Sequence, residues 1–243
     1  MGKILAFRHA EAAVNRPDLF EVGHADKTYP LTDIGISQAR KAGQWATETF
    51  DWVAQGDFVA ATSEFVRTQQ TYRQMRLPES SAVIYPGFNE QDWGDFMGAN
   101  PPEQLRPSFD AGYELTIDVK APHGESSHDL YERASVALSE LLAQQNTDNL
   151  VIVAHGRTLI VLRMLIEGVP ATDAGWHFMR QYIPELPNCG ALYYPELNWP
   201  YPSTCLEKRV AVLNPPYDSF EHFPWHRFSG ELFKTATSTS ILE

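Results

Sequence analysis

Cysteine is nearly missing: Cys189 and Cys205 are the only two in 243 residues. A disulfide scaffold needs denser cysteine, and a zinc site needs more Cys and His at close spacing. The expectation is two reduced thiols, with no metal and no organic cofactor. Basic charge is also short, with 19 Lys and Arg against 31 Asp and Glu, a formal charge of -12. That balance argues against nucleic acid as the main partner, because phosphate backbones select basic surfaces. Long apolar runs are absent too. No stretch approaches the roughly 20 residues of a membrane-spanning helix, and the apolar run after Lys3 is too short for a signal peptide. Ala6 stands where a myristoylation signal wants Ser or Thr. The expectation is a cytoplasmic protein with neither a nucleic-acid nor a membrane partner; the oligomeric state is left open.

What is present suffices for a core: 43% of the residues are apolar. Lys3 to Phe7 reads as a buried strand that delivers Arg8 and His9 at its C-terminal end. A helical pattern runs from Thr32, its expected N-cap, to about Phe50. Asp57 to Thr62 reads as a strand. A helix comes next, in which Phe65, Thr68, Gln69 and Tyr72 share helical spacing, with Ser63 as its expected cap. Ala82 to Tyr85 is a short strand. The stretch from Gly87 to Glu125 is rich in Gly, Pro and aromatics and predicts loop, with a short helix near Pro102 to Phe109. Ser127 to Gln145 is a periodic helix, Leu150 to Ala154 the clearest strand, and Arg157 to Glu167 a helix. Late strands are expected near Cys189 to Tyr194 and Lys208 to Leu213. Strands alternating with helices predict a three-layer α/β/α domain with a mainly parallel central sheet over residues 1–213. Residues 214–243, which include Trp225, His226 and Arg227, read as a C-terminal extension, partly packed and frayed at its end.

Ligands of such sheets gather at the carboxyl ends of the strands. One strand ends in Arg8-His9, another in Thr62-Ser63 with Arg67 a turn further on, and a third in His155-Gly156. A lone histidine at a strand end is more often structural. Two His and two Arg at one edge make a compact positive pocket in an acidic protein, and the guanidinium fork matches phosphate oxygens.

These residues also resemble the histidine phosphatase superfamily, the phosphoglycerate mutase-like proteins. Arg8-His9-Ala10-Glu11, with Asn15 beyond, is similar to the opening motif. Leu31-Thr32-x-x-Gly35-x-x-Gln38-Ala39 resembles the next block, and Ser63-x-x-x-Arg67-Thr68-x-Gln70-Thr71 the second arginine motif. Glu90-x-x-x-Gly94 resembles the acidic loop. Gly124-Glu125-Ser126, with Arg133 downstream, and Val153-Ala154-His155-Gly156 resemble the later blocks. The blocks occur in the family's order over roughly Lys3 to Asn188. Ala10 departs from the usual glycine, and Arg157 stands just after the last block, where other members vary.

The resemblance implies that His9 attacks phosphorus and becomes phosphohistidine. Arg8, Arg67 and His155 then hold the phosphoryl oxygens, with Asn15 and Gly156 as further phosphate-binding positions. A carboxyl group protonates the departing alkoxide. Glu11, Glu90, Asp92 and Glu125 are the candidates. Glu90 matches the family's acidic position, Asp92 is its rival, and Glu125 reads as an arginine partner that orients the pocket. Thr32, Gly35 and Gln38 read as structural. Trp93, Phe96 and Tyr113 are candidates for the mouth or for a satellite core.

Fold and motif do not separate mutases from phosphatases. From Glu90 to Gly124 the cations are Arg106 and Lys120, against Asp92, Asp95, Glu103, Asp110, Glu114 and Asp118. Such a mouth holds a second phosphate poorly, although Arg16, Lys27 or His24 could lie near it. The expectation is a phosphomonoester hydrolase acting on a small phosphorylated substrate. The alternatives are a mutase-type phosphotransferase and a non-catalytic binder with the same fold.

Overall fold

The structure, a computed structural model, describes residues 2–21, 26–78, 82–98, 100–143, 149–182, 186–197, 209–214 and 219–223. Cys205, His24 and the Trp225-His226-Arg227 segment lie outside the described residues, as does the expected frayed end.

One seven-stranded sheet organises the chain in the order β3-β2-β4-β1-β5-β6-β7. The strands are β1 (Gly2–Arg8), β2 (Val59–Thr62), β3 (Val83–Ile84), β4 (Leu150–Ala154), β5 (Ala191–Leu197), β6 (Arg209–Asn214) and β7 (Ser219–Phe223). The four strands β3, β2, β4 and β1 are mutually parallel. Beyond β1 the pairings turn antiparallel, through β5 to β6 and β7. The late strands were legible except for β7, which falls in the expected extension and pairs with β6.

β1 explains the layers. Its side chains alternate: Ile4 and Ala6 join one buried cluster, Leu5 and Phe7 the other. β4 does the same, with Leu150, Ile152 and Ala154 against Val151 and Val153. Helices α5 (Ser127–Ala143) and α6 (Gly156–Glu167) cover the first face through Leu130, Ala134, Leu138, Leu159 and Leu162. Helices α1 (Asp33–Thr49), α2 (Asp51–Ala54) and α3 (Val66–Met75) cover the second through Ala39, Ala42, Val53, Tyr72 and Met75. Each fully buried Leu or Phe in these stripes contributes about 1.5–3 kcal/mol relative to exposure.

A third cluster lies apart from the sheet. Phe96, Phe109, Tyr113 and Ile117 pack with Ile160, Met164, Trp176 and Met179. Residues 91–121 thus form a cap tied to α6 and to α7 (Asp173–Tyr182), with α4 (Arg106–Tyr113) inside it. α7 goes unread in the sequence, although Thr172 accepts from Gly175 N at 3.2 Å at its start and the buried Trp176 and Met179 lie one turn apart. The expected helix near 102–109 is present and runs on: a 3-10 turn, Glu103–Leu105, leads into α4, with Pro107 in its first turn.

Thr32 caps α1 as expected, accepting from Gly35 N at 3.0 Å. A Cβ on Gly35 would lie 2.0 Å from Glu11 O. Glycine there lets α1 press against the loop after β1. Gln38 holds the same loop from one turn on, accepting from Glu11 N at 2.8 Å.

Candidate active site

The topology places the ends of β1, β2 and β4 side by side, and their polar residues meet at that edge. His9 leaves β1, and its N–H donates to Ala154 O of β4 at 2.9 Å. His155 leaves β4, and the two imidazole centroids are 5.3 Å apart. Both rings are almost fully buried, 3% and 0% exposed.

His9 Nδ1 lies 2.8 Å from Ala10 O. A carbonyl only accepts, so Nδ1 carries the proton and Nε2 keeps its lone pair. Burial, then the fields of Arg67 and Arg8, hold the His9 pKa well below the usual histidine value. The ring is thereby neutral and nucleophilic at neutral pH. Ala10 causes no strain in place of glycine: it is not among the described residues with positive φ, and its N–H bonds Thr71 Oγ1 at 3.0 Å.

Ser63 is a correction. The first residue before α3 is Phe65, with no side-chain cap. Ser63 Oγ instead lies 2.8 Å from His155 Nε2 and 2.8 Å from Thr68 Oγ1. With Nε2 engaged, the buried Nδ1 of His155 has no protein partner among the described residues. Burial and then the charge of Arg67 push the His155 pKa well down.

Arg67 is 3% exposed and stacks on the Phe65 ring, 4.4 Å from its centroid. Its terminal nitrogens donate to Asp26: Nη1 to the carbonyl at 2.8 Å and to Oδ1 at 3.0 Å. Its buried Nε has no acceptor among the described residues. Arg67 Nε and His155 Nδ1 are thus two buried nitrogens at one edge without a partner among the described residues. Arg8 is anchored through Nη1 to Leu186 O at 2.6 Å.

Glu90 comes after β3 in chain order and arrives from the other side. Its Oε1 accepts from Gln91 N at 3.0 Å, and its Oε2 faces Arg157 N, at the start of α6, at 3.4 Å. Burial raises its pKa, against the opposing pull of the Gln91 N–H and of Arg67, Arg157 and Arg8. A carboxyl group whose pKa is raised by burial holds its proton to higher pH than an ordinary carboxylate, which suits it to give a proton. Asp92 instead accepts from Gly94 N at 2.9 Å, on the exposed side. Glu11 is tied to α1, its Oε1 accepting from Thr32 Oγ1 at 2.7 Å.

Glu125 pairs with an arginine, as read from the sequence. Arg133 Nε donates to Glu125 Oε2 at 2.9 Å, and its Nη atoms reach the carbonyls of Gly87 at 2.8 Å, Asn89 at 2.9 Å and Glu90 at 3.0 Å. One guanidinium therefore fixes the loop that carries Glu90. Gly94 docks the next turn: its φ is +47°, and a Cβ would lie 2.1 Å from Pro122 O.

Asn15 and Gly156 sit at the periphery. Asn15 Oδ1 accepts from Ala12 N at 3.1 Å and from Asn188 Nδ2 at 3.3 Å, while Asn188 also donates to His9 O. Gly156 opens α6 behind His155. Sequence pattern alone missed Asp26 on Arg67, and no local signal marks it, since it lies 41 residues away. The aromatics divide. Phe96 and Tyr113 are buried in the cap, while Trp93 lines a cavity of about 600 Å³ outside Glu90. Arg157 turns inward, 5.4 Å from the Tyr113 ring centroid and 6.0 Å from that of Trp93.

Residues 4–182 match the family model for branch 1 of the histidine phosphatase superfamily. The chain belongs to that superfamily. Histidine phosphatase relatives include a 2,3-bisphosphoglycerate-dependent phosphoglycerate mutase of Methylocella silvestris, 30% identical over 182 residues, 71% of this chain and 85% of that protein. The corresponding mutase of Azorhizobium caulinodans is 31% identical over 180 residues, 68% of this chain and 81% of the other. Among solved structures, the mycobacterial glucosyl-3-phosphoglycerate phosphatase in complex with vanadate superposes with a TM-score of 0.62 at 18% identity, covering 79% of this chain and 91% of that one. The alpha-ribazole phosphatase of Shigella flexneri gives 0.59 at 22% identity, covering 82% and 92%. These neighbours share the phosphoglycerate mutase-like fold. The superfamily supports an enzyme, a phosphatase or a mutase. No helix among the described residues is long and apolar enough to cross a membrane.

Proposed function

We propose that this protein hydrolyses a small phosphomonoester through a phosphohistidine on His9. His9 Nε2 attacks phosphorus, and the bond from phosphorus to the alcohol oxygen breaks. Glu90 gives its proton to that oxygen, and the neutral alcohol leaves. Arg8, Arg67 and His155 hold the phosphoryl oxygens, with Asn15 and Gly156 at the rim. Water then attacks the phosphohistidine, Glu90 takes its proton, and phosphate departs with His9 restored.

One observation favours hydrolysis over mutase chemistry. A mutase must hold a second phosphate on the alcohol side. Among the described residues lining the cavity there, only Lys27 and Arg133 are cationic, and each already serves a carboxylate. Lys27 Nζ lies 2.8 Å from Glu64 Oε2, and Arg133 grips Glu125. The cap's own cations point elsewhere: Arg106 pairs with Asp110 at 3.0 Å and Lys120 with Asp129 at 3.6 Å.

The test is an assay of purified protein without a bisphosphate primer. Phosphate should form from simple monoesters, and rapid quenching should trap an acid-labile, base-stable phosphoryl group on His9. Rapid isomerisation of 3-phosphoglycerate with negligible phosphate release would establish the mutase instead. Absence of any phosphohistidine with every ester would leave the binder.

A further inference from the structure

The cavity outside Glu90 has a composition that speaks to the alcohol half of the substrate. Phe65, Pro86, Trp93 and Met97 supply an apolar lining. The carboxylates Asp26, Asp92 and Glu125 share the lining, while both cations are spent on acids. Its volume of about 600 Å³ suits a drug-sized molecule rather than a three-carbon acid. The cavity borders the histidine cluster through Glu90 and Phe65: the Phe65 ring centroid is 4.7 Å from that of His155 and 4.4 Å from the Arg67 guanidinium. Trp93, also in the lining, packs on Phe109 and Tyr113, at 5.9 and 5.4 Å between centroids, so its position is set by the cap.

We propose that the site selects phosphomonoesters of uncharged alcohols with an apolar or aromatic body, seated between Phe65 and Trp93, and rejects esters with a second anionic group. This rests on the hydrolase reading and narrows it. A second carboxylate or phosphate entering the cavity meets Asp92, which has no cationic partner among the described residues, and Asp26, whose charge is engaged by Arg67. It would lose water without gaining a free cation. An aromatic body leaves water on entering and gains the Phe65 and Trp93 faces.

The experiment compares kcat/KM for phosphate release from alkyl esters, so that leaving-group acidity does not confound the ranking. The esters are 2-phenylethyl phosphate, glycerol 3-phosphate, 3-phosphoglycerate and phosphocholine, with 4-nitrophenyl phosphate as the control for hydrolysis itself. Glycerol 3-phosphate and 3-phosphoglycerate differ at the far carbon by a hydroxymethyl against a carboxylate. The neutral one should be preferred by about tenfold or more, and 2-phenylethyl phosphate should exceed both. Trp93→Ala should reduce the preference for 2-phenylethyl over glycerol 3-phosphate by about tenfold. Asp92→Asn should narrow the gap between glycerol 3-phosphate and 3-phosphoglycerate, and it keeps the Oδ1 that Gly94 N requires. Equal use of 3-phosphoglycerate, a first rank for phosphocholine, or unchanged selectivity in Asp92→Asn and in folded Trp93→Ala would each overturn the proposal while leaving hydrolysis standing. No phosphate from 4-nitrophenyl phosphate, with no phosphohistidine, would overturn the hydrolase reading and this inference with it.

Discussion

Two regions face each other across the carboxyl edge of the sheet, and they are built on opposite principles. The floor is polar: Arg8, His9, Ser63 and His155 stand at strand ends, Arg67 in the first turn of α3, and all are held by hydrogen bonds. The cap is apolar: Trp93, Phe96, Phe109, Tyr113 and Trp176 hold one another at centroid distances of 5.0 to 5.9 Å. Two buried nitrogens without acceptors among the described residues, Arg67 Nε and His155 Nδ1, cost the floor stability. The cap gains stability by burying aromatic surface. In the proposed reading, the floor does the chemistry and the cap bears on the choice of alcohol.

The contrast breaks most sharply at His9. His9→Ala should abolish turnover and phosphohistidine formation, while the thermal midpoint stays level or rises, because a buried group held neutral by its surroundings is gone. A large fall in the midpoint, seen by calorimetry, would mean that the floor is part of the structural core. Glu90→Gln comes next. Rates on alkyl esters should fall by about 10² to 10⁴, with a much smaller loss on 4-nitrophenyl phosphate, whose leaving group needs no proton. Phosphohistidine should accumulate with the aryl ester. If Asp92→Asn shows this split and Glu90→Gln does not, the acid has been misassigned.

Trp176→Ala tests the other side. Trp176 is fully buried, and its Nε1 donates to Tyr113 O at 2.7 Å. Its removal should cost about 3–5 kcal/mol in denaturant unfolding. Phosphorylation of His9 by the aryl ester should persist while the chain is folded. Loss of that reaction in the folded variant would show that the cap also shapes the floor.

The smallest effect is in pH. On the proposed mechanism, kcat/KM requires His9 neutral and Glu90 protonated. The His9 pKa is lowered below 6.5, chiefly by burial, so the acidic limb should lie below the ordinary histidine value. The Glu90 pKa is raised above 4.5, again chiefly by burial, so the alkaline limb should lie above the ordinary carboxylate value. Glu90→Gln should erase the alkaline limb, since the amide does not ionise. An unchanged limb would assign it to another group.

The floor was legible because its residues sit at strand ends, where local pattern locates the strand and the residues just beyond it. Leu150 to Ala154 reads as a buried strand from its apolar run alone, so His155 is placed by chain geometry. Arg67 is placed by helical spacing after Thr62. The cap was not legible for the converse reason. Phe109 meets Trp93 across 16 residues of chain, and Trp176 meets Tyr113 from 63 residues away, with no periodicity linking them. α7 carries only the local signal of Trp176 and Met179 one turn apart, and its buried face packs in one cluster with Ile160 and Met164 of α6 and with the cap.

By itself the sequence determined the alternation of strands and helices, the parallel half of the sheet, the positive cluster at its edge and the pairing of Glu125 with an arginine. Each follows from spacing along the chain or from the rule that strands joined through helices lie parallel in one sheet. Only the tertiary structure decided that Ser63 serves His155, that Asp26 lies on Arg67 and that Trp93 faces the cavity while Phe96 and Tyr113 turn away. Those outcomes depend on which surfaces compete for burial once the chain is compact, and that competition couples residues far apart in sequence.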